Sequence, residues 1–346
     1  MHALQLSEHG GPSVLAYKEC ESPTIDAHEV RLEVKAGALN YLDVWTRRGL
    51  PGLELTFPHT LGSDAAGVIT EVGEAVTRFE VGDHAAVSAG VACGSCEFCR
   101  KGDPTLCDQY HLLGEHVDGV HAEEVAINAD NLVPVPEHVP WEVAGSASLV
   151  FQTAWRMLMT RGNLTAGENV LVLGASGGVG HAAVQIADHA GAEVYATASS
   201  EEKLEHAADC GADHLIDYTD EEFASAIYDR TDGRGVDMVV DHIGKETYPE
   251  SLKSLVKGGR LVTCGATTGP DPDARLNRIF WNQLSVIGST MATPGEVDEV
   301  LDLVWNGPFE PHVRATLPMS EAASGHRMLE NREGFGKVVL VPDHEY

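Results

Sequence analysis

Positive charge is what this chain has least of. Among 346 residues, 23 are Lys or Arg, eight of them Lys, against 53 Asp or Glu, a formal net charge of −30. Such a surface repels polyanions, which excludes nucleic acid and anionic membrane as general partners. The acids are spread along the whole chain instead of forming a tail. A uniformly acidic surface of this kind resembles proteins of salt-accumulating halophiles, because at molar salt the screening length shrinks to about 3 Å and self-repulsion is largely removed. Long apolar runs are missing too: no stretch reaches the length of a membrane span, and Met1-His2-Ala3-Leu4-Gln5-Leu6 has neither a basic region nor an apolar segment. The expectation is a soluble, cytoplasmic protein. Internal repeats are also lacking. With 43% hydrophobic residues, 346 positions suit two domains of ordinary size.

What is present is organised around residues 168–203. Asn169-Val170-Leu171-Val172-Leu173 is a short apolar run bounded by polar residues, as expected of a buried parallel strand. It opens into Gly174-Ala175-Ser176-Gly177-Gly178-Val179-Gly180, then a helix-compatible stretch through Ala190, and a second strand over residues 193–197. Glycines let the backbone turn tightly and approach a pyrophosphate, while free N–H groups and the helix dipole stabilise the anion. Strand, glycine turn, helix and strand in this order predict a dinucleotide site at Ser176, Gly177, Gly178 and Val179.

The end of the second strand selects the cofactor. An NAD site usually places Asp or Glu there, on the ribose hydroxyls. Here Ala198-Ser199-Ser200 is followed by Lys203, so no carboxylate opposes a 2′-phosphate, hydroxyls can donate to it and a cation lies nearby. The reading is NADP(H), held by Ser199 and Lys203. Glu201 and Glu202 fall in the first turn of a helix, where they favour its dipole.

Before this unit, the first 130 residues read as β-rich. Val30, Leu32, Val34 and Ala36 alternate with polar residues at strand period, and Gly and Pro recur at short intervals, as in an irregular β-barrel. After it, helices at 201–210, 221–229 and 248–256 alternate with strands at 214–216, 237–240, 260–264 and 284–288, which makes a doubly wound parallel sheet of six strands. Tyr218, Asp241 to Ile243 and Gly265 to Thr267 then fall at its carboxyl edge, where ligands bind. From residue 293, a helix, a strand around Val313, a helix from Ser320 and a strand over 337–340 return the chain to the first domain. The division is 1–148, 149–291 and 292–346.

Four of seven cysteines, Cys93, Cys96, Cys99 and Cys107, form a C-x2-C-x2-C-x7-C cluster within residues 91–109. Four thiolates so spaced wrap one tetrahedral Zn²⁺ and leave no position for substrate. Disulfides are the alternative, disfavoured by the lack of a secretion signal. One structural Zn²⁺ per chain is expected.

The quartet, the Ala-Ser-Gly-Gly-Val-Gly turn, Gly37-Ala38-Leu39-Asn40-Tyr41-Leu42-Asp43 and Pro58-His59-Thr60-Leu61-Gly62-Ser63-Asp64-Ala65-Ala66-Gly67 together resemble the medium-chain dehydrogenase/reductase superfamily over essentially the whole chain. The resemblance implies a GroES-like β-barrel catalytic domain with a structural zinc lobe, split around a Rossmann domain, with the active site in the cleft between them. It also implies a homodimer or dimer of dimers built on a strand near residues 284–291, and a place for Thr153 beside the cofactor. Zinc alcohol dehydrogenases of this superfamily have Cys, then Gly-His-Glu, then Cys or an acid as catalytic metal ligands. This sequence has Asn40, Ser63-Asp64 and Leu149 there, so thiolate, imidazole and third ligand are all replaced, and Asp43 and Asp64 alone make a poor Zn²⁺ site. It is similar instead to the quinone oxidoreductase and enoyl reductase branch, which works without catalytic metal.

Alcohol oxidation needs a metal or a tuned base for the hydroxyl proton. Reduction of a double bond conjugated to a carbonyl needs hydride and hydrogen-bond donors for an enolate. Asn40 and Tyr41 are the candidate donors, with Asp43 as a supporting acid. The expectation is an NADPH-dependent oxidoreductase acting on a small molecule with an activated C=C or a quinone. An alcohol or sugar dehydrogenase with an atypical metal site and a non-catalytic NADPH-binding protein are the alternatives.

Overall fold

In the computed structural model, which describes residues 1–346, the alternation at Val30, Leu32, Val34 and Ala36 becomes a strand, β1 (Glu29–Ala38), with all four side chains fully buried. β1 pairs antiparallel with β2 (Asp64–Val72), and near its two ends with Glu124–Asn128 and the C-terminal strand Lys337–Val341. Leu132–Pro134, His84–Val87 and Val313–Pro318 complete a seven-stranded sheet. Val30, Leu32, Val34, Ile69, Val338 and Leu340 pack into its core.

Beyond β1 the chain turns into a helix, α1 (Tyr41–Arg48), which the sequence reading missed. Its start is marked by Asn40 at the N-cap and Asp43 at N3, whose carboxylate takes the Asn40 N–H at 2.7 Å. Arg47 and Arg48 sit in its last turn, where the dipole favours cations.

The chain divides into two compact units. The first comprises 1–149, 293–333 and 337–346, the second 150–292 and 334–336. The transfer of Gly334–Gly336 to the second unit is new.

The second unit holds a six-stranded, all-parallel sheet. β3 (Asn169–Val172) leads through the glycine turn to α2 (Gly178–His189) and β4 (Glu193–Ala198); α3 (Glu201–Asp209) leads to β5 (His214–Asp217). β6 (Val236–Val240), β7 (Leu255–Thr263), the helix α4 (Leu276–Asn282) and β8 (Ser285–Gly288) follow. Spatial order is β5-β4-β3-β6-β7-β8, so β3 and β6 flank the point where the winding reverses. The helix expected over 248–256 stops at Ser254, because Leu255 already pairs with Val236 and opens β7. No helix is long and apolar enough to cross a membrane.

Candidate active site

Register brings three separated segments together in the first unit. Ala38, near the end of β1, pairs with Asp64 at the start of β2 and with Val339 of the C-terminal strand. Two residues past Ala38, the Asn40 side chain therefore meets Asp64 and Lys337. Lys337 Nζ donates to Asn40 Oδ1 at 2.5 Å and to Asp64 Oδ2 at 3.1 Å, with Lys337 only 3% exposed. Asn40 Nδ2 donates to Asp64 Oδ2 at 2.9 Å and to the Ala38 carbonyl at 3.3 Å. The Leu149 N–H donates to Asp64 Oδ1 at 2.8 Å.

This wiring accounts for each position at which a zinc dehydrogenase would keep a metal ligand. Asn40 and Asp64 are bonded to each other and to an ammonium, Ser63 turns away to donate to the Leu113 carbonyl at 2.7 Å, and Leu149 contributes only its backbone. It also corrects one expectation. Both amide protons of Asn40 are engaged and its oxygen is held by Lys337, so its side chain has no proton left for a substrate enolate. Tyr41 differs: its hydroxyl has no partner, and its half-buried ring meets Trp45 edge-on at 5.4 Å. Asp43 is fully buried, bonded to the Asn40 and Gly62 amides at 2.7 and 3.1 Å, and fixes the two loops instead of facing a substrate.

Electrostatics follow from burial. Desolvation pushes the Asp43 carboxyl up to about 7, against the two amides and the Lys337 charge that hold it down. His121 is buried against Gly62, where a Cβ would lie 2.4 Å from the imidazole, and burial lowers it to about 4. His326 is lowered to about 3, first by burial and then by the Arg47 and His121 charges.

In the second unit the glycine turn has the geometry of an anion cradle. Gly174 adopts φ +60° and donates to the Thr197 hydroxyl at 3.2 Å, and a Cβ on Gly180 would lie 2.2 Å from the Gly174 carbonyl. Helix and strand can pack this closely only with glycine there. The amides of Gly178, Val179 and Gly180 form the open first turn of α2, beside Ser176 and Gly177. At the end of β4, Lys203 Nζ reaches Ser199 Oγ at 3.2 Å and Ser200 caps α3. Tyr218 follows β5 and is 41% exposed. Ile243 follows β6, its N–H on Asp241 Oδ1 at 2.9 Å, and Gly265 follows β7. All of these lie along the carboxyl edge of one sheet. Thr153 is buried on the helix before it and donates to Met291 Sδ at 4.0 Å. The donor set fits NADP(H): amides for the pyrophosphate, a hydroxyl and an ammonium for the 2′-phosphate.

Sequence reasoning placed Asp241 and His242 at the carboxyl edge without a role, and overlooked Lys337. Asp241 organises the loop after β6 by accepting from Thr247, Ser251 and two amides, and His242 packs against Gly174. Lys337 had a signal, a lysine opening the otherwise apolar Lys-Val-Val-Leu-Val strand.

The four lobe sulfurs all lie within 4.8 Å of one another, with Cys96 and Cys99 Sγ 3.5 Å apart. Tetrahedral zinc at about 2.3 Å from each sulfur needs edges of about 3.8 Å. Neighbouring amides draw Cys93 down to about 6, whereas burial and the adjoining cysteines push Cys99 up to about 12. Four thiolates cannot coexist here without a cation, and the set fits Zn²⁺.

Residues 26–137 match the alcohol dehydrogenase GroES-like domain family, and residues 178–306 match the zinc-binding dehydrogenase family. The chain is 35% identical to an acryloyl-coenzyme A reductase of Sulfurisphaera tokodaii, over 94% of this chain and 96% of that one. It is 31% identical to a quinone oxidoreductase of Pseudomonas aeruginosa over 98% of this chain and 99% of that one. The solved structure of an NAD-dependent alcohol dehydrogenase superposes with a TM-score of 0.95 at 41% identity, covering 99% of both chains. With both domain families in order and relatives aligned over nearly the full length, the chain belongs to the medium-chain dehydrogenase/reductase superfamily of oxidoreductases.

Proposed function

We propose that this chain is an NADPH-dependent reductase of a carbon–carbon double bond conjugated to a carbonyl, or of a quinone, acting without a catalytic metal. The observation that carries this reading is the Lys337 ammonium bonded to Asn40 and Asp64 at positions where zinc dehydrogenases keep metal ligands. A divalent cation there would meet a fixed positive charge and side chains already committed, with no thiolate to hold it. The names of the acryloyl-coenzyme A reductase and quinone oxidoreductase relatives support the same class.

Bound NADPH supplies the hydride. The amides of Gly178 and Val179, with Ser176 and Gly177, hold the pyrophosphate; Ser199 and Lys203 hold the 2′-phosphate. As hydride adds at the β-carbon, charge develops on the carbonyl oxygen, where a fixed donor is worth most. Tyr41 carries the free hydroxyl among the candidate side chains and is the residue we assign as donor to that oxygen. One proton and one hydride are consumed for each C=C saturated.

The deciding assay offers the full-length protein an enoyl thioester, an enone and a quinone with NADPH, and simple alcohols with NADP⁺, with zinc counted on the same sample. The expected result is alkene or quinone reduction outpacing alcohol oxidation, with one zinc per chain in the cysteine lobe. Because the 41%-identical structure is named an alcohol dehydrogenase, alcohol oxidation is the competing reading. Chelator-sensitive alcohol oxidation with a second zinc per chain would establish it.

The proposal extends to assembly as a homodimer or dimer of dimers. β8 is an edge strand of the six-stranded sheet, and beside it Leu276, Phe280 and Trp281 of α4 are 69%, 68% and 77% exposed. An unpaired edge beside an apolar patch suits pairing with a second copy. Light scattering should give at least twice the chain mass, and Trp281→Glu should lower it.

A further inference from the structure

Four consecutive residues near the C-terminus are shared between the two units. Gly334–Gly336 packs with the second unit, and Lys337 opens the last strand of the first. The Gly336 N–H donates to the Ser176 carbonyl at 2.9 Å, inside the glycine turn. Phe335, nearly fully buried, stacks on His206 of α3 with ring centroids 4.9 Å apart and meets His181 of α2 at 5.9 Å. His181 Nδ1 lies 2.9 Å from the Gly178 carbonyl. Phe335 thus touches the two helices whose N-terminal ends carry the pyrophosphate turn and the Ser199–Lys203 pair. One peptide bond beyond Gly336, the Lys337 ammonium holds Asn40 and Asp64.

We propose that residues 334–337 are a coupling strap and that Lys337 is a positioning residue for the reduction. Cofactor bound at the glycine turn fixes the Ser176 carbonyl and hence Gly336. Gly336 fixes where the ammonium sits, and the ammonium orients the Asn40 amide at the start of α1, next to Tyr41. Gly334 and Gly336 have φ of +63° and +86°. Glycines lose the most conformational freedom on ordering, so a ligand that orders the turn offsets part of that cost. Coupling is reciprocal: if NADPH favours the seated strap, a seated Lys337 favours NADPH by the same factor. The catalytic consequence rests on the reductase reading, whereas the coupling is measured by NADPH binding alone.

Hydrogen exchange on the full-length protein, with and without saturating NADPH, tests this. NADPH should slow exchange both in residues 334–337 and in residues 38–43. In Lys337→Met the slowing should persist at 334–336 and vanish at 38–43, and NADPH should bind about 5- to 150-fold more weakly, the usual span of coupling between sites. Lys337→Arg, which keeps the cation, should restore part of both. Turnover by Lys337→Met should fall in kcat with little change in KM for the alkene. A purely structural lysine predicts a lower melting temperature with unchanged NADPH affinity and an unchanged response at 38–43, and that result overturns the proposal. Should Lys337→Met fail to fold, Phe335→Leu leaves the charge network intact and must still weaken both NADPH binding and the response at 38–43; wild-type behaviour there also overturns it. Intact coupling without turnover of any alkene or quinone supports the strap and counts against the reductase reading.

Discussion

Ala198 ends β4 almost wholly buried, at 1% exposure, so a carboxylate introduced there would lie in the core and not against a 2′-phosphate. The reachable pair is Ser199 and Lys203. Lys203→Glu should weaken NADPH binding by at least tenfold, about 1.4 kcal/mol, while leaving NADH nearly unaffected, as measured by cofactor fluorescence titration. Equal losses would remove Lys203 from the phosphate pocket. Tyr41→Phe should lower kcat by about 100- to 1,000-fold with unaltered NADPH affinity, since it deletes one donor used in the transition state. Buried titratable groups set the pH profile. An unfolded histidine titrates near 6.5, whereas His121 and His326 are held to about 4 and about 3, so the unfolded chain binds more protons below 6.5. Their contribution to stability is complete above about pH 6.5 and is lost as pH falls through 4 and 3. Asp43, raised from 3.8 to about 7, has the opposite sign: its contribution is present in acid and lost as pH rises through about 7. His242, buried and lowered by desolvation, adds to the two, and three such histidines against one carboxyl make the urea midpoint climb from about pH 4.5 to about pH 6.5, a climb that His326→Asn should flatten.

Elements carried by a local pattern were readable in advance. The βαβ unit around the glycine turn, the strand at Val30 to Ala36 and the cysteine lobe each declare themselves within a few tens of residues, through period, glycine spacing or thiol spacing. α1 was missed because it is only eight residues long and its one local signal is the Asn40 cap with Asp43 three residues on. The Asn40–Asp64–Lys337 network was not legible at all. It depends on the register of three strands, with Lys337 nearly 300 positions away from Asn40, and no local window contains that. The lobe offers the test at this scale. Cys96→Ala removes a thiolate whose loss opens a closed site, so purified protein should lose its zinc and the 91–109 lobe should become protease-sensitive. Wild-type zinc content in that variant would show that the quartet is not the metal site.

For the whole molecule, the charge of −30 dominates. Ion pairs such as Arg260–Glu168 and Arg230–Glu221 employ part of the scarce basic complement, and 23 cations cannot neutralise 53 acids. Unscreened repulsion then opposes compaction at low salt, and at molar salt it acts over only about 3 Å. The melting temperature should rise between low and molar KCl, and a flat response would sink the halophilic reading. The order of strands along the chain has a consequence during synthesis. The second unit takes its six strands from one uninterrupted stretch, residues 169–288, and can close its sheet as soon as that stretch has left the ribosome. The first unit cannot. β1 emerges early and pairs along most of its length with Asp64–Val72 and Glu124–Asn128, but at Gly37 and Ala38 its neighbour Lys337–Val341 follows only some 300 codons later, so a growing chain carries that short stretch of β-edge unpaired throughout.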